Sequence, residues 1–392
     1  MNILHISNKP IYPLIDGGCK AMCQMLRALM KTNKVNHICL STHKHPFKKE
    51  LYPKEILDLS DTQSIYVETR LNFFKALIHL LFNISYNFNR FYSHRANAII
   101  QKQISENNYD VIVLDSLYSC AYIDVIKRNS NSKIIYRAHN VEHRIWKRLH
   151  SEEVFFLKRI YLNILSKQLK KVELNILKKV DAVWSISELD SLFFLDKTKH
   201  VSTLPMALEF KDQLKEYSNT DLFFIGAYNW KPNLDAVVWL ANILLPKLHE
   251  KDPSLKLHLA GSFSNELESQ ITYRQNVFFH GFVNDSNEFM MKNGIFVMPI
   301  RTGSGVRIKA LEAMSLGVPI IGTGVALEGI SEGEVFLKAE SIEQWVEKIQ
   351  FLRASASKRE ELSINARELV KSKFDLNAID QLIQMELERI VA

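Results

Sequence analysis

Short runs of β-branched and aromatic residues alternate along the chain with longer stretches in which apolar positions recur every three or four residues. Strands buried on both faces read as short continuous apolar runs, and the amphipathic helices that cover them read with a period near 3.6. The alternation therefore predicts parallel sheets flanked by helices. Predicted strands in the first half are 3–6, 37–41, 111–115, 133–137 and 182–186; in the second half they are 222–226, 256–260, 277–280, 295–298, 319–322 and 335–337. The fold class is α/β, with two doubly wound domains in succession. A proline follows a strand-like run near 202–207, which sets the domains at 1–205 and 206–373. The final pattern, 374–392, follows another helix without an intervening strand, so it is expected to pack back on the first domain.

Composition narrows the class. Of 392 residues 47% are hydrophobic and 24% charged, with 13 Gly and 10 Pro, which excludes disordered and collagen-like chains. The four cysteines, Cys19, Cys23, Cys39 and Cys120, lack zinc-site spacing and read as free thiols in a reducing compartment. No basic stretch followed by an apolar core opens the chain, and the most apolar run, 73–81, contains Lys75 and His79 and is too short to span a bilayer. The expected location is the cytoplasm, with peripheral attachment to the membrane face as one option.

The net charge of +7 is unevenly placed: residues 1–205 hold thirty Lys and Arg against eighteen Asp and Glu, and the remainder twenty against twenty-five. A basic first half implies an anionic surface or ligand facing it. Within it, 70–103 carries Arg70, Lys75, Arg90, Arg95 and Lys102 among aromatic and aliphatic residues, with no acid. Residues 157–179 form an amphipathic helical pattern with lysines between the apolar positions. Such segments either pack a stripe on their own domain or rest on anionic lipid headgroups as a membrane surface.

The most informative stretch runs from Met298 to Gly322. A strand ends near Met298, the loop Gly303, Ser304, Gly305 follows, and 306–316 reads as a helix closed by Gly317. Glycines allow close backbone approach to a phosphate, the N–H groups of the first turn, beginning at Val306, point at it, and the helix dipole favours negative charge. Arg307 and Lys309 add full charges. Glu312 is placed to accept hydrogen bonds from a ribose diol; the structural alternative is an ordinary ion pair between Lys309 and Glu312. In the first domain, Asp16, Gly17 and Gly18 form a tight turn between the first strand and a helix. His139 follows a predicted strand. Glu142 and His143 read as a salt-linked helix start.

Together with the loop Phe224-Ile-Gly-Ala-Tyr-Asn-Trp-Lys-Pro-Asn233, the pairs Ala260-Gly261 and His280-Gly281, and the run Arg137-Ala-His-Asn-Val-Glu-His143, these motifs resemble the retaining glycosyltransferases of family 4 over nearly the whole chain. That resemblance implies the GT-B arrangement, two Rossmann-like domains facing a central cleft. It implies that Glu312 is the second glutamate of the family's E-x7-E motif and binds the donor ribose, while Ser304 stands where the first glutamate usually contacts the donor sugar. The family's Arg in the loop opening the second domain is absent; Ala227 and Tyr228 stand nearby, Lys231 is the candidate to retain the basic role, and Arg307 the candidate to replace the lost cation. His139 matches the position that contacts the donor sugar, and Gly17 and Gly18 the loop that lets acceptor and donor phosphate approach the backbone.

The expected function is transfer of a sugar from a nucleotide diphosphate sugar to a saccharide or lipid-linked saccharide acceptor with retention of configuration, in cell-surface polysaccharide or glycolipid synthesis. No Asp-x-Asp occurs, so neither a metal nor another cofactor is expected, and Arg307, Lys309, Lys231 and helix N–H groups are left to stabilise the departing diphosphate. The resemblance implies displacement on one face, the leaving phosphate taking the acceptor proton. A nucleotide-sugar 2-epimerase shares the architecture and is the alternative within enzymes. A basic nucleic-acid-binding protein is the alternative outside them, and the acidic second half argues against nucleic acid as a partner.

Overall fold

Continuous apolar runs become the inner strands of two parallel sheets, each with its own core. The first comprises β1 (Asn2–Ser7), β2 (Lys34–Ser41), β3 (Gln63–Tyr66), β4 (Val111–Asp115), β5 (Lys133–Ala138), β6 (Ala182–Ser185) and β7 (His200–Thr203), ordered β3-β2-β1-β4-β5-β6-β7. The second comprises β8 (Leu222–Ile225), β9 (Leu257–Ala260), β10 (Val277–Gly281), β11 (Ile295–Met298), β12 (Ile320–Gly322) and β13 (Leu337–Lys338), ordered β10-β9-β8-β11-β12-β13. All neighbours run parallel, and each order reverses once, between β1 and β4 and between β8 and β11. This is the doubly wound pattern in both halves. The computed structural model describes residues 1–208, 219–261, 265–303, 307–330 and 334–392. They form two compact units, Met1–Met206 with Asn377–Ala392, and Ala207–Leu376.

The edge strands β3 and β7 stand outside the predicted set. Only Ile65 of β3 is buried and no residue of β7 is, so neither carries the apolar run that marks an inner strand. The last predicted strand, 335–337, moves to Leu337–Lys338.

Helix Phe156–Leu177 buries Leu162, Leu165, Leu169, Ile176 and Leu177, but its first turns are exposed. Helix Phe73–Leu81 buries none of its residues. The last helix, Leu376–Val391, lies against the first unit: Gln384 donates to the Ala28 carbonyl at 2.8 Å, Lys31 pairs with Asp380 at 2.5 Å, and Ile379, Ile383 and Leu387 are buried.

Gly261 follows β9 at φ +143°, where a Cβ would stand 1.8 Å from the Gly226 carbonyl oxygen after β8. Neither the backbone angle nor the space admits a side chain. Gly261→Ala is expected to lower stability by more than about 1 kcal/mol, read as a fall in the thermal unfolding midpoint.

Candidate functional site

In the first unit the site is built where the strand order reverses. Asp115 ends β4, in register with Ser7 of β1 and Arg137 of β5, and is fully buried. Its Oδ1 lies 2.5 Å from His139 Nε2 and 3.7 Å from Arg137 Nε, and its Oδ2 lies 2.9 Å from His5 Nε2. Burial pushes this carboxyl upward, but the His139 charge and hydrogen bond, the His5 hydrogen bond and the Arg137 charge outweigh it and hold it well below the usual carboxylate range. Asp115 is therefore an anion that accepts from Nε2 of His139. The Nδ1 of that ring is left without a partner among the described residues.

The next residue, Ser116, sits at φ +97°, a conformation that a non-glycine residue adopts only when its surroundings impose it. Its N–H is held by the Arg137 carbonyl at 3.0 Å. His5 stacks on His37 with ring centres 5.1 Å apart. Burial, then the His5 charge, pushes His37 well below its ordinary value, so it stays neutral; Ser7 accepts from it at 3.0 Å and donates to the Lys9 carbonyl at 2.8 Å. Lys9 in turn grips Asp16 at 2.6 Å, and Asp16 caps helix Gly17–Met30 by accepting from the Cys19 N–H at 2.8 Å. Burial would raise Asp16, but the Lys9 charge and these hydrogen bonds bring it below its ordinary value. Gly17 and Gly18 thus form the helix's first residues, and a Cβ at Gly18 would lie 3.1 Å from Lys9 Nζ.

Gly18, Arg90, Ser116, Tyr118, His139 and Glu142 line a cavity of about 300 Å³. Glu142 is half-buried and accepts from the Tyr118 hydroxyl at 3.1 Å; burial and the Glu173 charge push it up to about 7. Glu173, fully buried, accepts the backbone N–H groups of Glu142 at 2.8 Å and His143 at 3.1 Å and binds the His143 ring. The helix start is thus held not by a link between Glu142 and His143, as expected, but by Glu173, thirty residues further along from His143. Spacing alone gave no sign of Glu173.

In the second unit, the loops after β8 and β11 meet at the other reversal. Gly303 sits at φ +114°, with the Trp230 ring 3.2 Å and Arg307 Nη2 2.5 Å from where its Cβ would be. The Arg307 guanidinium lies over the Trp230 ring at 5.2 Å and donates to the Thr302 carbonyl at 3.3 Å. Arg307 is extended and caps helix Ile308–Ser315, which starts two residues after the predicted start. Lys309 pairs with Glu312 at 2.7 Å and donates to Ser286 at 2.9 Å, so the intrahelical ion pair is formed. Ser304, Gly305 and Val306 lie outside the described residues. Lys231 opens helix Lys231–Trp239, is 79% exposed, and pairs with Asp235 at 2.8 Å. Its neighbour Trp230, which the sequence motif includes without a role, is the residue that meets Gly303 and Arg307.

Residues 219–355, within the second unit, match the family model described as glycosyl transferases group 1. A relative in Klebsiella pneumoniae, described as an uncharacterized 44.6 kDa protein in the cps region, is 24% identical over 288 residues, 68% of this chain and 71% of its own. Among solved structures, sucrose-phosphate synthase from Thermosynechococcus elongatus superposes with TM-score 0.70 at 14% identity, over 100% of this chain and 99% of that one. HepE from Anabaena, solved with UDP and glucose, superposes with TM-score 0.67 at 14% identity, over 98% and 99%. At these identities the likeness is one of fold: two Rossmann-like doubly wound units, the fold called GT-B.

Two measurements follow from the first-unit site. Asp115→Ala leaves Arg137 buried without its counter-charge and is expected to cost about 3–5 kcal/mol, read as a fall in Tm. Glu142, raised in the folded state, favours folding while protonated, and that contribution is lost as pH rises through about 7. Tm should therefore climb as pH falls from 8 toward 6, with a shallower slope in Glu142→Gln.

Proposed function

We propose that the chain is a metal-independent, retaining glycosyltransferase that moves a sugar from a nucleotide diphosphate donor to a saccharide hydroxyl. The observation that carries this reading is the placing of Arg307 and Lys309 at the start of the helix after β11, at the strand-order reversal of the unit that matches group 1 glycosyl transferases. HepE, with UDP and glucose bound, has the same fold and supports a nucleotide-sugar donor. The relative in a cps region supports a cell-surface polysaccharide as the product's destination.

In this reading Arg307 and Lys309 bind the diphosphate with the backbone of Gly303, Ser304, Gly305 and Val306, and Glu312 accepts from the ribose diol while Lys309 turns from Glu312 to phosphate oxygen. Lys231 adds charge from the neighbouring loop. In the first unit, Gly17 and Gly18 allow close backbone approach, and His139, oriented by Asp115, offers Nδ1 to a sugar hydroxyl. The acceptor oxygen bonds to the anomeric carbon on the face from which the diphosphate leaves, the carbon–oxygen bond to phosphate breaks, and the acceptor proton passes to the departing phosphate. The cations stabilise the charge that develops there. No side chain becomes covalently attached.

A thermal-shift panel of UDP-, GDP- and ADP-sugars identifies the donor, since a ligand selective for the native state raises Tm. Turnover in the presence of EDTA, with the product's anomeric configuration read by NMR, tests metal independence and retention. Epimerised sugar accumulating without acceptor would favour the epimerase instead. Arg307→Ala is expected to weaken donor binding by about 2 kcal/mol, roughly thirtyfold. Unchanged affinity would mean that another group neutralises the diphosphate.

A further inference from the structure

Helix Phe73–Leu81 has its amphipathy turned outward. Phe73, Leu77 and Leu81 recur at every fourth position, with Phe74 and Ile78 on the adjoining row, so they form one continuous stripe. All five are exposed, while the half-buried side is Ala76, His79 and Leu80. A second apolar segment, 154–157, leads into helix Phe156–Leu177. Phe73, Phe74, Leu81, Phe82, Phe155 and Phe156 are each between 71% and 78% exposed, where a chain of this size has ample core to bury them.

The two helices share a neighbour. The short helix Tyr86–Asn89 packs against both helices, its buried Tyr86 ring centred 5.4 Å from His79, and the Tyr86 hydroxyl accepts from the Asn72 N–H at 2.8 Å. The chain then passes directly to Arg90 and Phe91 in the wall of the first-unit cavity.

We propose that this face is a docking surface for a bilayer containing anionic lipid, seated in the interface with the apolar stripe among the acyl chains. Charge selects this occupant. No Asp or Glu occurs between Arg70 and Gln103 or between Val154 and Val172, whereas each stretch contains Lys and Arg. Lys75 and Arg159 are exposed and form no ion pair among the described residues. Apolar side chains interleaved with cations suit anionic headgroups, while the cores of protein interfaces are depleted of lysine. Nine helical residues extend about 13 Å, and no described helix is long and apolar enough to cross a membrane, so the segment lies on the bilayer. Docking places the cavity wall at Arg90 beside the headgroups, within reach of a lipid-borne acceptor. The lipid-borne acceptor rests on the glycosyl-transfer reading; the docking does not.

The test is sedimentation of the full chain with phosphatidylcholine vesicles, with and without phosphatidylglycerol, over a range of salt. The protein should pellet with the anionic vesicles, less with neutral ones and less at high salt. Phe73→Ser combined with Phe74→Ser and Leu81→Ser should weaken binding by about tenfold or more, as should Lys75→Glu with Arg159→Glu. Wild-type protein remaining in the supernatant, or pelleting of the variants equal to wild type, would overturn the proposal. So would a dimer, seen by light scattering, that the serine variant dissolves in the absence of vesicle binding, since a second copy would then cover the face. Donor-induced thermal shift measured on the same proteins separates the two readings: a shift retained without vesicle binding sinks the docking alone, and vesicle binding without any donor shift sinks the glycosyl-transfer reading alone.

Discussion

A parallel sheet whose crossovers all turn right-handed can be covered on both faces only if its strand order reverses, and at that reversal the segments leaving two neighbouring strands diverge. The gap between them is the one place along the sheet's carboxyl edge that its own connections do not fill. In this chain the reversal occurs between β1 and β4 and again between β8 and β11. The loop ending at the Asp16 cap and the strained Ser116 stand at the first. Trp230, Gly303 and Arg307 stand at the second. The candidate site of each unit is thus located by topology before any side chain is chosen.

The side chains then divide the work by sign. In the first unit a carboxylate is removed from water altogether, which is costly unless its oxygens are occupied, and His5, His139 and Arg137 occupy them. The product of that expense is orientation: the His139 ring, in the cavity wall, has one nitrogen fixed by Asp115. In the second unit the organising group is a cation, the Arg307 guanidinium, 5.2 Å over the Trp230 ring, and its flat, delocalised charge distinguishes it from a lysine ammonium.

Much of this was legible from the residues in order. The bounds of β4 and β11 coincide with the apolar runs 111–115 and 295–298, because both strands are central and buried throughout. The run from Gly303 to Glu312 stood out because its residues are contiguous in sequence, and of its expected contacts the Lys309–Glu312 ion pair is the one formed. The Asp115 cluster was not: its members, at 5, 115, 137 and 139, come together only through the register of three parallel strands, which no local pattern encodes. One sign of it was available in Val-Ile-Val-Leu-Asp115, a run of buried aliphatics ending on a charge. Residues 73–81 stood out only as the most apolar run of the chain, and apolarity does not say which face turns inward; here the run is a helix whose apolar face turns outward.

The Glu173 carboxylate closes the first turn of helix Glu142–Glu152 from a helix formed later in the chain. Amide groups that would otherwise fray into solvent are satisfied only once the longer helix has docked, so an opening of that helix frees them as well. The wall that carries Glu142 therefore inherits the local unfolding energy of its partner, and slow amide exchange at Glu142 and His143 would report the integrity of a helix that neither residue belongs to.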